Sequence, residues 1–455
     1  MVSSSDSPAT TGFAGKVFRV WSIVCAGVAL ALAVSQLLEI PQRSALRGYD
    51  NTFNYLWLRS AAVDGDWDFR NDLATCDTLT PEYRASALAL PPTATGRLPN
   101  KYGLGWAVVT VPFYSVADGI VTASRAVGLW TLQRDGWNPV YQICIQLGHV
   151  MLAILALWLA ARVIASWLQV ERTQAWAGVV LVWAASPLLY YQTVDVSMSH
   201  GAAFFAVTLM AYALTRAKET PTANWPWWLA GTGWGLAATT RFQLGIFGLL
   251  AAWSWFGMLR AGEGRRAVRT VWLFAAGALP LLALQLWAWH VVYGSWLVFS
   301  YGAEGEGFRW LQPEWLGSLA SPLHGLFYWH PLLLVALAGL LAWAASERRL
   351  APVLVAAVLA TLYVNAAWWC WWFGAAFGNR ACDAALLPLM AGFAWLLGRA
   401  TPRWRRVWWA AALTAGAWNF YLVLLYRLAV IPRNAPVTWS EMLQACGHVG
   451  AALHF

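Results

Sequence analysis

Residues 139–162 read PVYQICIQLGHVMLAILALWLAAR, an apolar run whose one charged residue, Arg162, stands at its end. A helix needs roughly 20 consecutive apolar residues to cross the hydrocarbon core of a bilayer, and this run is long enough. Because its apolar residues are continuous rather than alternating, the run predicts a membrane-spanning helix and not a barrel strand. The whole chain is 60% hydrophobic and only 11% charged, so lipid must be the solvent for most of it.

Similar runs recur along the chain and predict an all-α polytopic membrane protein with about 11 transmembrane helices. The predicted spans are residues 17–38, 139–161, 174–192, 198–215, 226–240, 244–259, 270–292, 325–345, 351–370, 384–398 and 407–429. One further apolar segment, 103–123, contains Pro112 and Asp118. Counting it as a crossing would invert every later loop, so we expect an interfacial or re-entrant helix there.

Charged residues separate by sign between the two predicted faces. With the N terminus in the cytoplasm, more than half of the 30 Lys and Arg lie in short inside segments, and most of the 21 acids lie outside. This distribution follows the positive-inside rule. It predicts an integral, multi-pass plasma (inner) membrane protein with a cytoplasmic N terminus and an active face outside. The same rule accounts for the net charge of +9, so nucleic acid is not an expected partner.

The first outer loop, residues 39–138, contains two acidic stretches. Apolar residues in GYDNTFNYLWLR (48–59) predict an amphipathic helix on the membrane surface, with Asp50 at its start. Asp50 there either caps the helix or acts in a site. The stretch Asp64–Asp72 resembles a calcium loop but lacks the required Gly and Glu. A solvated turn is expected there, with a structural cation or a substrate contact as alternatives.

Further polar residues on the outer face lie in tight connections. Asp195 and His200 share a short turn, where they either cap a helix or contact substrate. A Ser-His-Asp hydrolase is not expected, because these residues are too close in sequence and no G-x-S-x-G elbow is present. Arg241 lies between two spans with no room for a solvated loop. It either pairs with an anion such as phosphate or extends to the interface.

Two other cations and a late loop complete the outer face. Lys101, in GRLPNKYG, and Arg380, in FGNRACD, are either ligand contacts or residues with a topological or structural role. The 293–324 loop contains Glu304 among glycines. It is either a segment that closes over a bound ligand or a plain connection.

The arrangement resembles the GT-C superfamily of polytopic glycosyltransferases, of the dolichyl-phosphate-mannose and aminoarabinose transferase type. The resemblance covers most of residues 17–400 and rests on the acid in GYDNTFNYL (48–56), on LPNKYGLGWAVVTVPFY (98–114), and on the acid that follows SPLLYYQTV (186–194). Two positions depart from the family pattern. Asn51 stands where relatives have a second acid, and Pro99 stands alone where many have paired prolines. The first departure weakens a metal site, so no cofactor is assigned and a divalent cation stays an open alternative.

The resemblance implies a membrane glycosyltransferase that moves a sugar, with inversion, from a polyprenyl-phosphate donor to an acceptor hydroxyl on a glycan, lipid or protein. It assigns Asp50 as the general base and Asp195 as a second catalytic acid. The residues expected to bind the donor phosphate or substrate are Arg241, Lys101, Arg380, His200, Tyr102 and Glu304. The alternatives are a transporter or flippase for lipid-linked glycans and a polysaccharide ligase or polymerase. The implied organisation is a cytoplasmic tail (1–16), a catalytic transmembrane module (17–400) and a final span with an outer tail (401–455).

Overall fold

The structure is a computed structural model that describes residues 46–129 and 132–448, with scattered helical positions between 22 and 38. The predicted tail 1–16 and the end of the predicted outer tail, 449–455, lie outside the described residues, as does much of the first span. The α-helices that follow residue 46 are, in chain order, Tyr49–Arg59 (α1), Phe69–Thr75 (α2), Pro81–Leu88 (α3), Gly105–Ala126 (α4), Pro139–Leu168 (α5), Arg172–Ala184 (α6), Leu188–Thr193 (α7), Ser199–Glu219 (α8), Trp225–Thr240 (α9), Leu249–Arg260 (α10), Gly264–Tyr293 (α11), Trp315–Ala320 (α12), Leu326–Trp329 (α13), Leu332–Ser346 (α14), Ala351–Ala367 (α15), Leu386–Arg399 (α16), Pro402–Arg427 (α17) and Trp439–Gln444 (α18). Three 3₁₀ helices, Phe242–Gly248, Ser300–Glu304 and Arg380–Ala385, lie in the connections between α9 and α10, α11 and α12, and α15 and α16.

The all-α polytopic membrane fold is confirmed. In the described part of the chain, six helices are long and apolar enough to cross a membrane, and α14 and α15 are shorter apolar helices. Each predicted span after the first coincides with a helix or with two consecutive helical pieces. The predicted span 174–192, for example, is broken after Ala184 and resumes at Leu188. Pro187 lies within that break and lacks the amide hydrogen that would continue the helical hydrogen bonds.

Close backbone contact holds α9 against α8 and α11 in the bundle core. A Cβ added to Gly231 of α9 would lie 1.9 Å from the carbonyl oxygen of Phe274 in α11. One added to Gly277 of α11 would lie 2.0 Å from the carbonyl oxygen of Trp228. Small residues let membrane helices approach this closely, because dispersion contacts rather than water exclusion hold such helices together.

The first outer loop forms a separate apolar layer on one end of the bundle. Its core contains Phe53, Tyr55 and Trp57 of α1 together with Trp106 of α4. The predicted helix at 48–59 is therefore present, but the prediction that one face lies on the membrane is wrong. Residues 51–59 are all buried, because α1 is enclosed by α4 and the rest of the loop.

The predicted interfacial segment forms one uninterrupted 22-residue helix, α4, with Pro112 inside it. It is not a re-entrant hairpin, which would need a break. By length and composition it could cross a membrane. Its contacts nevertheless place its start and its second half at one end of the bundle: the backbone at Gly105 abuts Thr240 at the end of α9, and Asp118 accepts a hydrogen bond of 2.7 Å from Tyr141 at the start of α5. The interfacial placement remains a prediction that this geometry supports.

The arginine-rich connections and the acidic connections lie at opposite ends of the bundle. At one end, Ser166 of α5 donates to Glu219 of α8 over 2.9 Å, and Arg269 donates to Asn224 over 2.5 Å. At the other end, Asn51 donates to Asp195 over 2.9 Å. The separation of charge predicted from the sequence is thus present in the fold. Which end faces the cytoplasm remains a prediction from the positive-inside rule.

Candidate active site

A cavity of about 880 Å³ opens at the acidic end of the bundle. Among the predicted site residues it is lined by Asp50, Lys101, Tyr102, His200, Arg241 and Arg380. These residues come from the first outer loop, from α8, and from the turns that follow α9 and precede α16. Six of the eight predicted site residues therefore surround one cavity, whereas Asp195 and Glu304 do not line it.

Asp50 points into the cavity from the first turn of α1. The helix begins after Gly48, whose φ of 95° lies in the left-handed region, and no side chain caps it, so the capping role considered for Asp50 is wrong. Arg380 Nη1 lies 2.8 Å from Asp50 Oδ2, and the Tyr102 hydroxyl donates to Oδ1. Burial opposes ionisation of Asp50, but Arg380, the Tyr102 hydroxyl and Lys101 outweigh it and hold its pKa below the ordinary value. Asp50 is therefore an ionised acceptor at neutral pH.

Lys101 ties the first outer loop to the late outer loop. Its Nζ lies 2.6 Å from Glu304 Oε2 and 2.9 Å from Glu306 Oε1. Tyr49 also donates to Glu304, over 3.1 Å, and the rings of Tyr49 and Tyr301 lie 5.3 and 5.7 Å from the ammonium. Burial lowers the pKa of Lys101, but the two glutamates raise it further, so its pKa is above the ordinary value. Lys101 lines the cavity with its charge already balanced by two acids.

Arg241 and His200 form a second polar wall with Asp383. Arg241 Nη1 lies 2.6 Å from His200 Nδ1, and Asp383 Oδ2 lies 2.9 Å from the same nitrogen. Arg241 follows the last residue of α9 with φ −148° and ψ 113°, where the chain leaves the helix before the 3₁₀ turn. This break directs the guanidinium to the cavity and to His200, so the alternative that Arg241 extends to the interface is wrong.

Asp195 lies behind the cavity wall rather than on it. Its Oδ1 accepts a hydrogen bond of 2.9 Å from Asn51, the residue that follows Asp50. Burial raises the pKa of Asp195, although Asn51 and nearby arginines act in the opposite direction. The predicted direct catalytic role of Asp195 is not supported by this position. The side chain instead orients Asn51 and the first turn of α1. The turn around Asp195 also provides no side-chain cap for α8, whose N-cap residue is Met198.

The rest of the cavity wall is apolar and aromatic. The 293–314 connection folds across the end of α15, where Arg309 N donates to Ala367 O over 2.6 Å and Phe308 forms a bridge with Trp368. The ring centroids of Phe308 and Trp368 are 4.7 Å apart. Other apolar lining residues are Phe242, Ile246, Trp289, Leu297, Phe299, Trp310 and Trp369. The cavity thus has a charged part and an apolar, largely aromatic part.

Sequence reasoning did not include four site residues among its candidates. Tyr49, Tyr301 and Glu306 contact the Lys101 cluster, and Asp383 contacts His200. Glu306 and Tyr301 belong to the loop singled out for its acids and glycines, and Asp383 follows Arg380 by one turn. Their closeness in sequence to predicted site residues could have identified them.

The acidic stretch after α1 serves the outer layer. Asp64 and Asp72 contact Arg59 Nη1 at 2.5 and 2.6 Å. In the part of the chain that the structure describes, no group of three or more His, Cys, Asp or Glu side chains comes together to hold a metal ion. The stretch is thus a structural ion-pair cluster. Binding of a divalent cation stays an open alternative, as the sequence left it.

Comparison with known proteins bears on the fold. No protein-family profile matches the sequence, and no curated protein matches it. Among solved structures, the chain is similar to ArnT from Cupriavidus metallidurans, determined bound to undecaprenyl phosphate, with a TM-score of 0.50 and 16% identity. The similarity covers 95% of this chain and 70% of that chain. The chain therefore shares the polytopic helical membrane fold of that structure. At this identity the similarity shows the fold alone. The reaction of this chain has to be inferred from its own site residues.

Proposed function

We propose that this protein is a membrane glycosyltransferase that moves a sugar from a polyprenyl-phosphate donor to an acceptor hydroxyl, with Asp50 as general base. The observation that supports this most is the cavity itself. It combines an ionised carboxylate and two arginines with an aromatic wall. A lipid-linked sugar phosphate has the same division into charged and apolar parts.

Asp50 would accept the proton of the acceptor hydroxyl as the reaction proceeds. The hydroxyl oxygen forms a bond to the anomeric carbon of the sugar while the bond from that carbon to the phosphate oxygen breaks. The bonding electrons leave with the lipid phosphate, and the proton remains on the Asp50 carboxyl. Because one displacement takes place, the anomeric configuration inverts. Because the Tyr102 hydroxyl already donates to Oδ1 of Asp50, the proton would go to Oδ2. That oxygen contacts Arg380 in this structure.

Arg380 and Arg241 are the groups best placed to hold the leaving phosphate. A guanidinium group can donate two parallel hydrogen bonds to two phosphate oxygens. It stabilises the negative charge that develops on the phosphate as the bond to the sugar breaks. Lys101 is a weaker candidate than the sequence suggested, because Glu304 and Glu306 already neutralise it. We assign it instead to positioning the late loop over the cavity. When a phosphate takes up the charge of Arg380, Asp50 loses part of the interaction that lowers its pKa and becomes a stronger base.

The aromatic wall suits the prenyl chain of the donor. Trp289 belongs to α11, Trp368 follows α15, and Phe308 belongs to the late loop. Large apolar rings that line a cavity at the end of membrane helices favour an unsaturated hydrocarbon chain over water. This arrangement would keep the phosphate of the donor at headgroup level and its chain in the lipid.

The test is a transfer assay on purified full-length protein with a panel of polyprenyl-phosphate sugars and membrane extracts as acceptors. We expect release of polyprenyl phosphate that requires an acceptor and is lost in the variant Arg241→Gln/Arg380→Gln. The matched control is Arg265→Gln/Arg403→Gln, which removes the same charge from exposed positions at the other end. Movement of intact donor across vesicles without release of polyprenyl phosphate would contradict the proposal and favour the flippase alternative.

A further inference from the structure

A second cavity lies at the opposite, arginine-rich end of the bundle. Its volume is about 310 Å³, within the range of small-ligand sites. It lies between the end of α5, the start of α6 and the end of α8. Three arginines line it, Arg162, Arg172 and Arg216, together with Trp158 and Tyr212.

The cavity has a net positive charge. Arg216 pairs with Glu219, and Ser166 donates to the same carboxylate over 2.9 Å. Arg162 lies over the ring of Trp158, with 4.4 Å from its guanidinium carbon to the ring centroid. Within residues 46–129 and 132–448, no carboxylate forms an ion pair with Arg162 or Arg172. The site therefore has two uncompensated guanidinium groups, which suits an anion.

An apolar stripe on α5 leads to this cavity. Four apolar side chains of this stripe are exposed on the side of the bundle. Their exposed fractions are 65% for Met151, 64% for Ile154, 42% for Leu155 and 39% for Trp158. Their spacing places them on one face of the helix, and Arg162 follows Trp158 on the same face. In a membrane protein such a stripe contacts acyl chains, and a tryptophan at its end marks the headgroup level.

We propose that this cavity binds the phosphodiester headgroup of an anionic phospholipid, whose acyl chains lie along the α5 stripe. Arg162 and Arg172 donate to the phosphate oxygens, while Trp158 packs against the glycerol region. Basic pockets between transmembrane helices at an arginine-rich end suit such headgroups. The site is separate from the acidic-end cavity and does not depend on the proposed glycosyl transfer.

The test is native mass spectrometry of the full-length protein with dioleoyl phosphatidylglycerol, with dioleoyl phosphatidylcholine as the zwitterionic comparison. We expect Arg162→Gln/Arg172→Gln to weaken phosphatidylglycerol binding by about tenfold or more, since two charge-assisted hydrogen bonds are lost. Arg265→Gln/Arg403→Gln removes the same charge at the same end and should bind like the parent. Thermal unfolding in phosphatidylcholine alone checks that both variants fold.

Two results would overturn the proposal. Equal phosphatidylglycerol affinity in the cavity variant and the control variant would show that the arginines serve topology only. Saturation of the cavity by inorganic phosphate, with no further gain from the lipid, would assign the site to a soluble phosphate compound. Preference for phosphatidylglycerol that is lost only in the cavity variant supports the lipid site.

Discussion

Replacing Asp50 with asparagine removes the charge of the proposed base while keeping its size. Asparagine still offers one oxygen to the Tyr102 hydroxyl, but the charged contact with Arg380 at 2.8 Å is lost. Because a positioned general base contributes about 10²- to 10⁴-fold, we expect kcat to fall by that factor. Donor binding should persist, since Arg241 and Arg380 both remain.

The same substitution should affect folding only slightly. The Asp50 side chain is 28% exposed and Arg380 is 16% exposed, so the pair lies at the edge of a cavity rather than in the protein core. Exchanging a charged hydrogen bond for a neutral one costs about 1 kcal/mol of unfolding free energy. Thermal unfolding should therefore show a folded variant, which separates loss of catalysis from loss of structure.

The pH dependence gives an independent measurement of Asp50. A base with a lowered pKa stays ionised as pH falls, and the activity is lost only when pH passes below that pKa. In the free enzyme we expect the acid limb of kcat/KM to lie below the ordinary aspartate pKa. In the donor complex, phosphate weakens the effect of Arg380, so the acid limb of kcat should lie at higher pH than that of kcat/KM.

The assay is single-turnover transfer of a labelled sugar from its polyprenyl-phosphate donor, run on the parent, Asp50→Asn and Asp68→Asn. Asp68 is a suitable control because it belongs to the same loop, its side chain is 45% exposed, and its ion pair with Arg70 spans 3.6 Å. Asp68→Asn should match the parent. If Asp50→Asn transferred sugar as fast as Asp68→Asn, Asp50 would not be the base and the mechanism above would be refuted.

Three further perturbations test the site, the orientation and the packing. Arg241→Ala should abolish the thermal stabilisation that polyprenyl phosphate gives the parent, and an undiminished shift would remove Arg241 from the phosphate site. In a cysteine-free background, a cysteine at Arg265 should react with an impermeant reagent only from the cytoplasm and one at Asp66 only from outside; labelling both from one side would reject the topology. Gly231→Ala should cost about 1–3 kcal/mol, because its Cβ would lie 1.9 Å from a backbone oxygen, whereas Gly257→Ala, with open space around it, should be neutral or stabilising; equal melting temperatures would contradict the close-packing argument.

Predicting the fold from sequence worked where the evidence was local. A run such as 139–161 forms a helix in any apolar environment, because unpaired backbone groups are too costly in lipid. The same reasoning was wrong for α1, whose amphipathic pattern predicted that its apolar face lies on the membrane surface. In the structure α4 covers that face, and a helix-to-helix contact of this kind leaves little trace in the pattern of α1 alone.

Site residues divide along similar lines. Arg241 was recognisable because a charge between two spans needs a partner. The identity of that partner, His200 at 2.6 Å, depends on how α8 and α9 pack. Lys101 shows the limit more clearly, because its two neutralising glutamates lie 203 and 205 residues later in the chain. An isolated lysine would be a reasonable phosphate ligand, but these two glutamates already balance the charge of Lys101.

By itself, the sequence determined that the protein is a helical membrane protein with acids and arginines at opposite ends. Both properties follow from local composition, since each span satisfies its own backbone hydrogen bonds and each loop retains its own charge. Only the tertiary structure decided that Asp50 pairs with Arg380 in the wall of one cavity while Asp195 lies behind that wall. Those relations depend on how helices distant in sequence pack, and the charge of a loop does not specify which neighbour it will meet.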